Sequence, residues 1–476
     1  MKQPNRRPLL GATALSGLAL QALVPHVHAG GFALVEHGAS GMGNAYAGAA
    51  AVAHDSSTIW FNPAGMSELE GREIAVGLHV LATDTDWADR GTSLNAALPG
   101  AAAGAAVPGD EFSGGTTSVL PNFYYTAPID ERWSYGIGVG APYGSSTEYD
   151  DGWKGRYGSL ESGIQVLDIN PAFSYRVNEK VRLGGGISVQ RLSANLTSAI
   201  DSSVACLGSV GAADLSLCSD AGLVDFGNPE LDSRGEITGD STAVSFNLGA
   251  LFLPTDGTRI GVAYRHGISH ELDGDADFTV NPALRATLDG VAASTGSSIG
   301  AFLTDTGARA EVDLPATFMV SIAQNVGDDI ELLADLTWTG WSSFEELRVR
   351  YDTAPIQRDT VSLQEWEDVV RVSAGINYSL GSDLVLRGGV AFDQEAIPSP
   401  ERRTPRIPGN DRTWFAFGLG YDISRNATVD VGYAHLFLPE TAIDNEAAES
   451  PGSTTIRGEY SSSVDIVSAQ FTWHFN

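Results

Sequence analysis

From Glu73 to Phe475 the chain runs in segments of about ten residues in which bulky apolar side chains alternate with small or polar ones. In Trp133–Ala141 the bulky positions are Trp133, Tyr135, Ile137 and Val139, with Ser134, Gly136, Gly138 and Gly140 between them. The last segment sets Val467, Ala469, Phe471, Trp473 and Phe475 on one face and Ser468, Gln470, Thr472 and His474 on the other. A period of two is that of a β-strand, whose successive side chains point to opposite faces. Fourteen segments carry it: Glu73–Ala82, Ser118–Thr126, Trp133–Tyr143, Gln165–Val177, Val181–Leu192, Thr242–Leu253, Thr258–His270, Ala310–Asn325, Ile330–Arg350, Glu367–Ser379, Leu384–Asp393, Thr413–Asp422, Thr428–His435 and Ser462–Phe475. An even number of such strands predicts an all-β transmembrane fold, a 14-stranded antiparallel outer-membrane β-barrel with a lipid-facing outside and a more polar inside.

Short turns, such as Asn178-Glu179-Lys180 and Leu380-Gly381-Ser382-Asp383, alternate with long loops at 83–117, 144–164, 193–241, 271–309, 351–366, 394–412 and 436–461. This asymmetry predicts a periplasmic end carrying the short turns and both termini, and an extracellular end carrying the loops. Part of the loop at 271–309, within Ala283–Thr304, is a candidate helix with Leu284, Leu288, Val291, Ile299 and Phe302 among small residues. Residues 30–72 are rich in Gly, Ala and Ser and do not alternate, which predicts a compact segment outside the barrel wall. Ahead of them, Lys2, Arg6 and Arg7 precede an apolar run, Leu9–Val24, and Val27-His28-Ala29 precedes a cut, so 1–29 is expected to be a signal peptide.

The net charge is −31, from 59 acidic and 28 basic residues, which argues against a nucleic-acid partner. The acid is expected mostly in solvated loops, as at Asp273–Asp277 and Asp444–Glu449. Cys206 and Cys218 are the only cysteines; in an exported chain such a close pair predicts one disulfide pinning a loop. No His or further Cys stands near them at ligand spacing, so no metal is expected. The glycines at 41–43 and 184–186 are not followed by a phosphate-loop signature, and Ser, His and Asp are scattered, so neither a cofactor nor an enzymatic activity is expected. Trp133, Trp338, Trp341, Trp414 and Trp473 are candidates for interface girdles or for pocket lining.

Several short motifs occur in order along the chain: Gly31-Phe32-Ala33-Leu34, Gly43–Gly48, Trp60-Phe61-Asn62-Pro63-Ala64-Gly65-Met66, Ala141-Pro142-Tyr143-Gly144, Asn170-Pro171, Leu314-Pro315, Thr337–Phe344, Leu386–Asp393 and Arg406–Arg412. Together they resemble the FadL/TodX family of outer-membrane transporters for long-chain fatty acids and other hydrophobic compounds. The resemblance implies a barrel over 73–476 plugged by an N-terminal hatch at 30–72. It also implies that Asn62, Pro63 and Ala64 contact a kink in the third strand, where a lateral opening lets ligand leave through the wall. The glycines 136, 138 and 140 and Pro142 fit such an opening, because they supply no bulk and, at Pro142, no ladder donor. The family pocket is apolar with basic residues for a carboxylate; the candidates are Arg156, Arg191, Arg265, Arg348 and Arg358, chosen only as basic residues of the upper barrel and loops.

The expected function is passive uptake of long-chain fatty acids or other hydrophobic small molecules, captured by extracellular loops and released sideways. Outer-membrane lipid and lipopolysaccharide are the expected surroundings, and a monomer the expected state. The competing classes are an adhesin or structural barrel acting through acidic surface loops, and a general porin.

Overall fold

The computed structural model describes residues 31–94, 104–210, 215–354, 356–446 and 454–475. The expected signal peptide, 1–29, lies outside them. The wall is a closed antiparallel barrel of fourteen strands. They are β1 (Arg72–Asp89), β2 (Thr117–Pro128), β3 (Trp133–Glu148), β4 (Glu161–Asn178), β5 (Val181–Ile200), β6 (Ser233–Thr255), β7 (Thr258–Arg265 and Ile268–Thr279), β8 (Thr306–Leu314 and Thr317–Val326), β9 (Ile330–Thr339 and Glu346–Tyr351), β10 (Thr360–Leu363 and Val369–Leu380), β11 (Leu384–Asp393), β12 (Arg412–Ser424), β13 (Ala427–Phe437 and Thr441–Glu446) and β14 (Thr454–Phe475). β1 closes on β14 from Arg72↔Phe475 to Asp89↔Gly458. No helix among the described residues is long and apolar enough to cross a membrane.

The alternation does what the sequence predicts over the middle of the wall. Leu78, Ile137, Phe173, Ile187, Phe246, Ile322, Leu336, Ile376, Phe417 and Phe471 all point outward and are exposed, while their neighbours are buried or half-buried on the lumen side. Burying such side chains in lipid is the driving force that places the belt. Trp133 and Trp473 lie on this outer face, whereas Trp341 and Trp414 are buried inside.

Several strands run further toward the long loops than expected. Asp273, Asp275 and Asp277, assigned to a loop, stand on the outer face of β7, with Leu272 and Ala276 buried beneath them. Above the lipid the outer face meets water, so the period of two persists with its polarity reversed. The expected single strand Ile330–Arg350 breaks at Gly340, where a 3-10 turn, Trp341–Ser343, carries Trp341 inward. The expected loop helix forms over Pro282–Thr295 (α1), capped by the Asn281 side chain on Ala283 N. It packs Leu284 and Leu288 on Cys206, Leu207, Cys218 and Leu223, where Cys206 and Cys218 are joined as a disulfide.

Residues 31–71 lie inside the barrel. Their polar contacts reach around the ring: Ala39 N donates to Gln470 Oε1 on β14 (3.1 Å), Ala50 N to Ser321 Oγ on β8 (3.0 Å) and Asn44 Nδ2 to Asn377 Oδ1 on β10 (3.2 Å). Close approach requires glycine in the wall at two places above all. A Cβ at Gly261 would fall on the Ala50 carbonyl, and one at Gly389 on the Asn44 backbone.

Candidate functional site

The wall is weakest between β2 and β3. Their pairing runs only from Phe123↔Val139 to Pro128↔Ser134. Beyond Val139, β3 pairs with β4 alone, and between Gly140↔Asp168 and Tyr143↔Val166 it carries one extra residue. This bulge contains Ala141 and Pro142, and bulges bend a strand and interrupt its ladder. Gly136, Gly138 and Gly140 face inward and are buried, on the side opposite Tyr135, Ile137 and Val139. The plug supplies the partners that β2 does not: Leu34 N donates to Pro142 O (2.8 Å), and Gly144 N donates to Phe32 O (2.9 Å).

The hydrogen bonds of Asn62 and Ala64 run to the plug itself and to β4 and β6. Asn62 Nδ2 donates to Ala50 O (2.7 Å) and to Ala250 O on β6 (3.0 Å), its Oδ1 accepts from Ala64 N (3.1 Å), and Ser174 Oγ on β4 donates to Ala64 O (2.9 Å). The motif is a turn that caps itself and seats on the glycines of β5 and β6, Gly184 and Gly249. Phe32–Leu34, His37, Ile59 and Met66 are plug residues that meet β3.

Two apolar cavities lie above and beside the plug. The upper one opens among the long loops and is lined by residues such as Phe32, Ile164, Leu272, Val312, Phe344 and Val349. The lower one reaches from Trp341 and Tyr143 down to Trp60, Phe61, Met319 and Trp414. Between them sits an aromatic cluster in which the Phe32 ring stands 4.9 Å from Trp341, 5.9 Å from Phe344 and from Trp366, and 6.0 Å from Tyr143. Below the plug a third cavity faces the short turns and is polar, with Asp328, Asp329, Asp383 and Asp422 in its wall beside the ion pairs Arg259–Glu331 and Arg387–Asp430.

Of the five candidate arginines, only Arg265 lines a cavity. It lies 3.5 Å over the Trp60 ring, donates to Ser188 Oγ (2.6 Å) and Trp60 O (3.1 Å), and stands 3.7 Å from Asp168. Arg156 is fully buried in the rim, where Nε meets Asp232 (2.7 Å) and the other nitrogens donate to Pro108 O, Trp153 O, Tyr157 Oη and Gly227 O. It ties three long loops together and reaches no cavity. Arg191 points outward to Asp240 (3.3 Å), Arg348 is held by Glu346 (2.7 Å) and Asp359 (3.5 Å), and Arg358 is exposed.

The residue that the sequence reasoning passed over is Arg371. It projects from β10 into the lower cavity, which Asp335 and Asp393 also line, donates to Ala45 O (2.9 Å) and lies 5.1 Å from the Trp414 ring. A signal was available: Val370-Arg371-Val372 places a lone cation on the inward phase of an alternating strand. Among the described residues no cluster of three or more His, Cys, Asp and Glu is arranged to hold a metal.

Known proteins share this architecture. Residues 21–475 match the model of the outer membrane protein transport protein family (OMPP1/FadL/TodX). A putative outer membrane protein of Neisseria meningitidis is 27% identical, covering 94% of this chain and 95% of its own. A long-chain fatty acid transport protein of Escherichia coli K12 is 25% identical, covering 91% and 93%. A crystal structure of a Pseudomonas aeruginosa FadL homologue superposes with a TM-score of 0.81 over 94% of this chain and all of that one, at 23% identity. The Pseudomonas putida toluene transporter TodX superposes at 0.64, over 93% and 99%, with 18% identity. With the closed fourteen-stranded wall, the match over nearly the whole chain establishes this protein as a member of the OMPP1/FadL/TodX family of outer-membrane transport proteins.

Proposed function

We propose that the barrel is a passive channel that takes long-chain fatty acids or related hydrophobic molecules from outside, holds them in the two apolar cavities and releases them sideways through the β2–β3 gap. On this reading 1–29 is removed on export, 30–72 is the hatch and 73–476 the channel, which works as a monomer within a lipopolysaccharide leaflet. The observation that carries it is the pairing of an apolar lumen with a wall whose ladder stops at plug level. Burial of each ligand methylene contributes about 0.8 kcal/mol, which suffices for capture without an energy source. Straight descent would take the ligand into the polar lower vestibule, where acidic residues outnumber Arg259 and Arg387 and a carboxylate is disfavoured. The gap leads instead to hydrocarbon.

Arg371 favours an acid as ligand. A charge-assisted hydrogen bond contributes roughly 1.5–3 kcal/mol, or about 10- to 100-fold in affinity. Proteoliposomes holding the barrel should take up a labelled long-chain fatty acid and exclude small sugars. Arg371→Met should weaken fatty-acid uptake by about tenfold and toluene uptake far less. Equal losses for both would assign Arg371 to plug anchoring through Ala45, and free entry of sugars would make the protein a general porin.

A further inference from the structure

A small chamber, about the size of one water, lies at the inner face of the β2–β3 gap, between Ile59 and Trp60 of the plug and Tyr124, Gly138, Gly140, Asp168 and Asn170 of the wall. Its surroundings are apolar, yet several polar atoms converge there. A Cβ on Gly140 would stand 3.2 Å from His37 Nδ1 and 3.7 Å from the Tyr124 hydroxyl, so both groups face the space that this glycine leaves. His37 is fully buried, stacked 3.9 Å from the Trp60 ring, and neither of its ring nitrogens has a hydrogen-bond partner. Tyr124 is 1% exposed and its hydroxyl has none either. Asn170 Nδ2 donates to Asn247 Oδ1 (3.1 Å), leaving Asn170 Oδ1 unpartnered, and Asp168 Oδ2 accepts from Gln190 (2.9 Å), leaving Asp168 Oδ1 unpartnered.

Buried polar groups in native proteins are almost always hydrogen-bonded, and an apolar lining would serve a purely hydrocarbon passage better. We propose that His37, Tyr124, Asp168 and Asn170 form a head-group station in the lateral gap that takes the uncharged hydrogen-bonding head of an amphiphile, the hydroxyl of an alcohol or the neutral carboxyl of an acid. The head is uncharged because the only guanidinium nearby, that of Arg265, already stands 3.7 Å from Asp168, and the Asp168 carboxylate would repel an anion. His37 and Tyr124 each offer a donor and an acceptor, and the Asp168 and Asn170 oxygens accept from the head's O–H. No proton transfer within the protein is needed, since a fatty acid in water already contains its neutral form as a minor species. The inference rests on the lateral route proposed above. It adds that the route discriminates by head group and not by chain alone.

The test uses proteoliposomes of the full-length barrel and three probes of equal length: a long-chain alcohol, the corresponding acid and the corresponding alkane. Tyr124→Phe removes one hydroxyl and His37→Phe keeps the stack on Trp60. Each should lower the alcohol-to-alkane uptake ratio roughly tenfold, the size of one lost hydrogen bond in a dry site. The acid-to-alkane ratio should fall likewise. Unchanged ratios in both variants would show that the chamber holds only water, and would overturn the proposal. Gly138→Trp serves as the check on the route itself: it should cut uptake of all three probes together. If Gly138→Trp spares all three, the lateral route fails and the station with it. If it blocks all three while the ratios stay fixed, the route stands and only the station is lost.

Discussion

Two seams of the same barrel behave differently. β1 and β14 pair without interruption over eighteen residues, from Arg72 to Asp89, and a buried His79–Ser468 hydrogen bond (2.6 Å) adds to the ladder from inside. β2 and β3 pair over six, from Phe123 to Pro128, and then part. In hydrocarbon an unpaired backbone group costs several kcal/mol, so a barrel is expected to close throughout. The second seam opens because β3 carries glycines where β14 carries Ser468, Gln470 and Thr472, and because Pro142 has no N–H to donate. Its free carbonyl at Pro142 and free amide at Gly144 are taken by the plug. The plug therefore completes this seam where β2 does not, and Phe32, which accepts from Gly144 there, also stands in the aromatic cluster between the two cavities.

Removing the plug breaks the comparison most severely. Both seams consist of strand–strand ladders, so a chain lacking 31–71 should still insert, and its lumen should conduct. Planar-bilayer conductance should rise by at least roughly tenfold over the intact protein, toward that of an open porin. Conductance that stays near zero in an inserted, heat-modifiable barrel would show that the long loops close the lumen without the plug.

Side-chain bulk distinguishes the seams more finely. A Trp at Gly138 would begin from a Cβ 2.9 Å from the Tyr124 ring and 3.3 Å from Ile59, filling the gap. A Trp at Leu78 would lie in lipid on the outer face of the closed seam, where the side chain is 45% exposed. Uptake of a hydrophobic substrate should fall roughly tenfold for Gly138→Trp, the cost of a small steric block in the passage, and stay near normal for Leu78→Trp. Similar uptake in the two, with folding confirmed by heat-modifiability, would remove the open seam from the route.

Much of this architecture is legible in sequence because lipid imposes a strict pattern. Wherever the outer face meets hydrocarbon, as at Val244, Phe246 and Leu248 on β6, alternation marks the strand and its inward phase. The pattern fails where the solvent changes. Ile268, Leu272 and Ala276 turn inward toward the upper cavity while Glu271, Asp273 and Asp275 turn outward, so the same strand resembles an acidic loop. The site was legible in part for a related reason. Gly136, Gly138 and Gly140 lie on an unbroken alternating run, and their inward direction follows from parity. Arg156 and Arg371 were not separable by residue type: one lies in a rim whose tertiary folding no period encodes, the other on an inward strand position. The seat of Asn62–Ala64 on β5 and β6 was not legible, because the turn's own cap and the glycines Gly184 and Gly249 set it, and neither leaves a periodic signal.

The rim above both seams sharpens the comparison last and least. There Arg156 joins the loops at 83–117, 144–164 and 193–241 through Asp232, and Tyr157 Oη donates to the other Asp232 oxygen (2.8 Å). Burial pushes the Asp232 carboxyl up to about 6 despite Arg156, and burial raises Asp201 as well, although three backbone amides oppose the rise. A folded-state value above the unfolded one means that the folded rim binds protons more tightly than the unfolded chain. The resulting stability is complete below about pH 4 and lost as pH rises through about 6. Limited proteolysis of the loops, normalised to an unfolded substrate, should therefore run several-fold slower at pH 5 than at pH 7.5, and Asp232→Asn should flatten the difference. Arg156→Met should speed cleavage at both values, because removing one partner of a buried pair costs about 3–5 kcal/mol. The β2–β3 seam lies well below, and uptake should keep its discrimination between probes. Slower cleavage at pH 7.5 would show that the Arg156 attraction outweighs the burial of Asp232, and the rim would then be held by an ion pair that strengthens on ionisation.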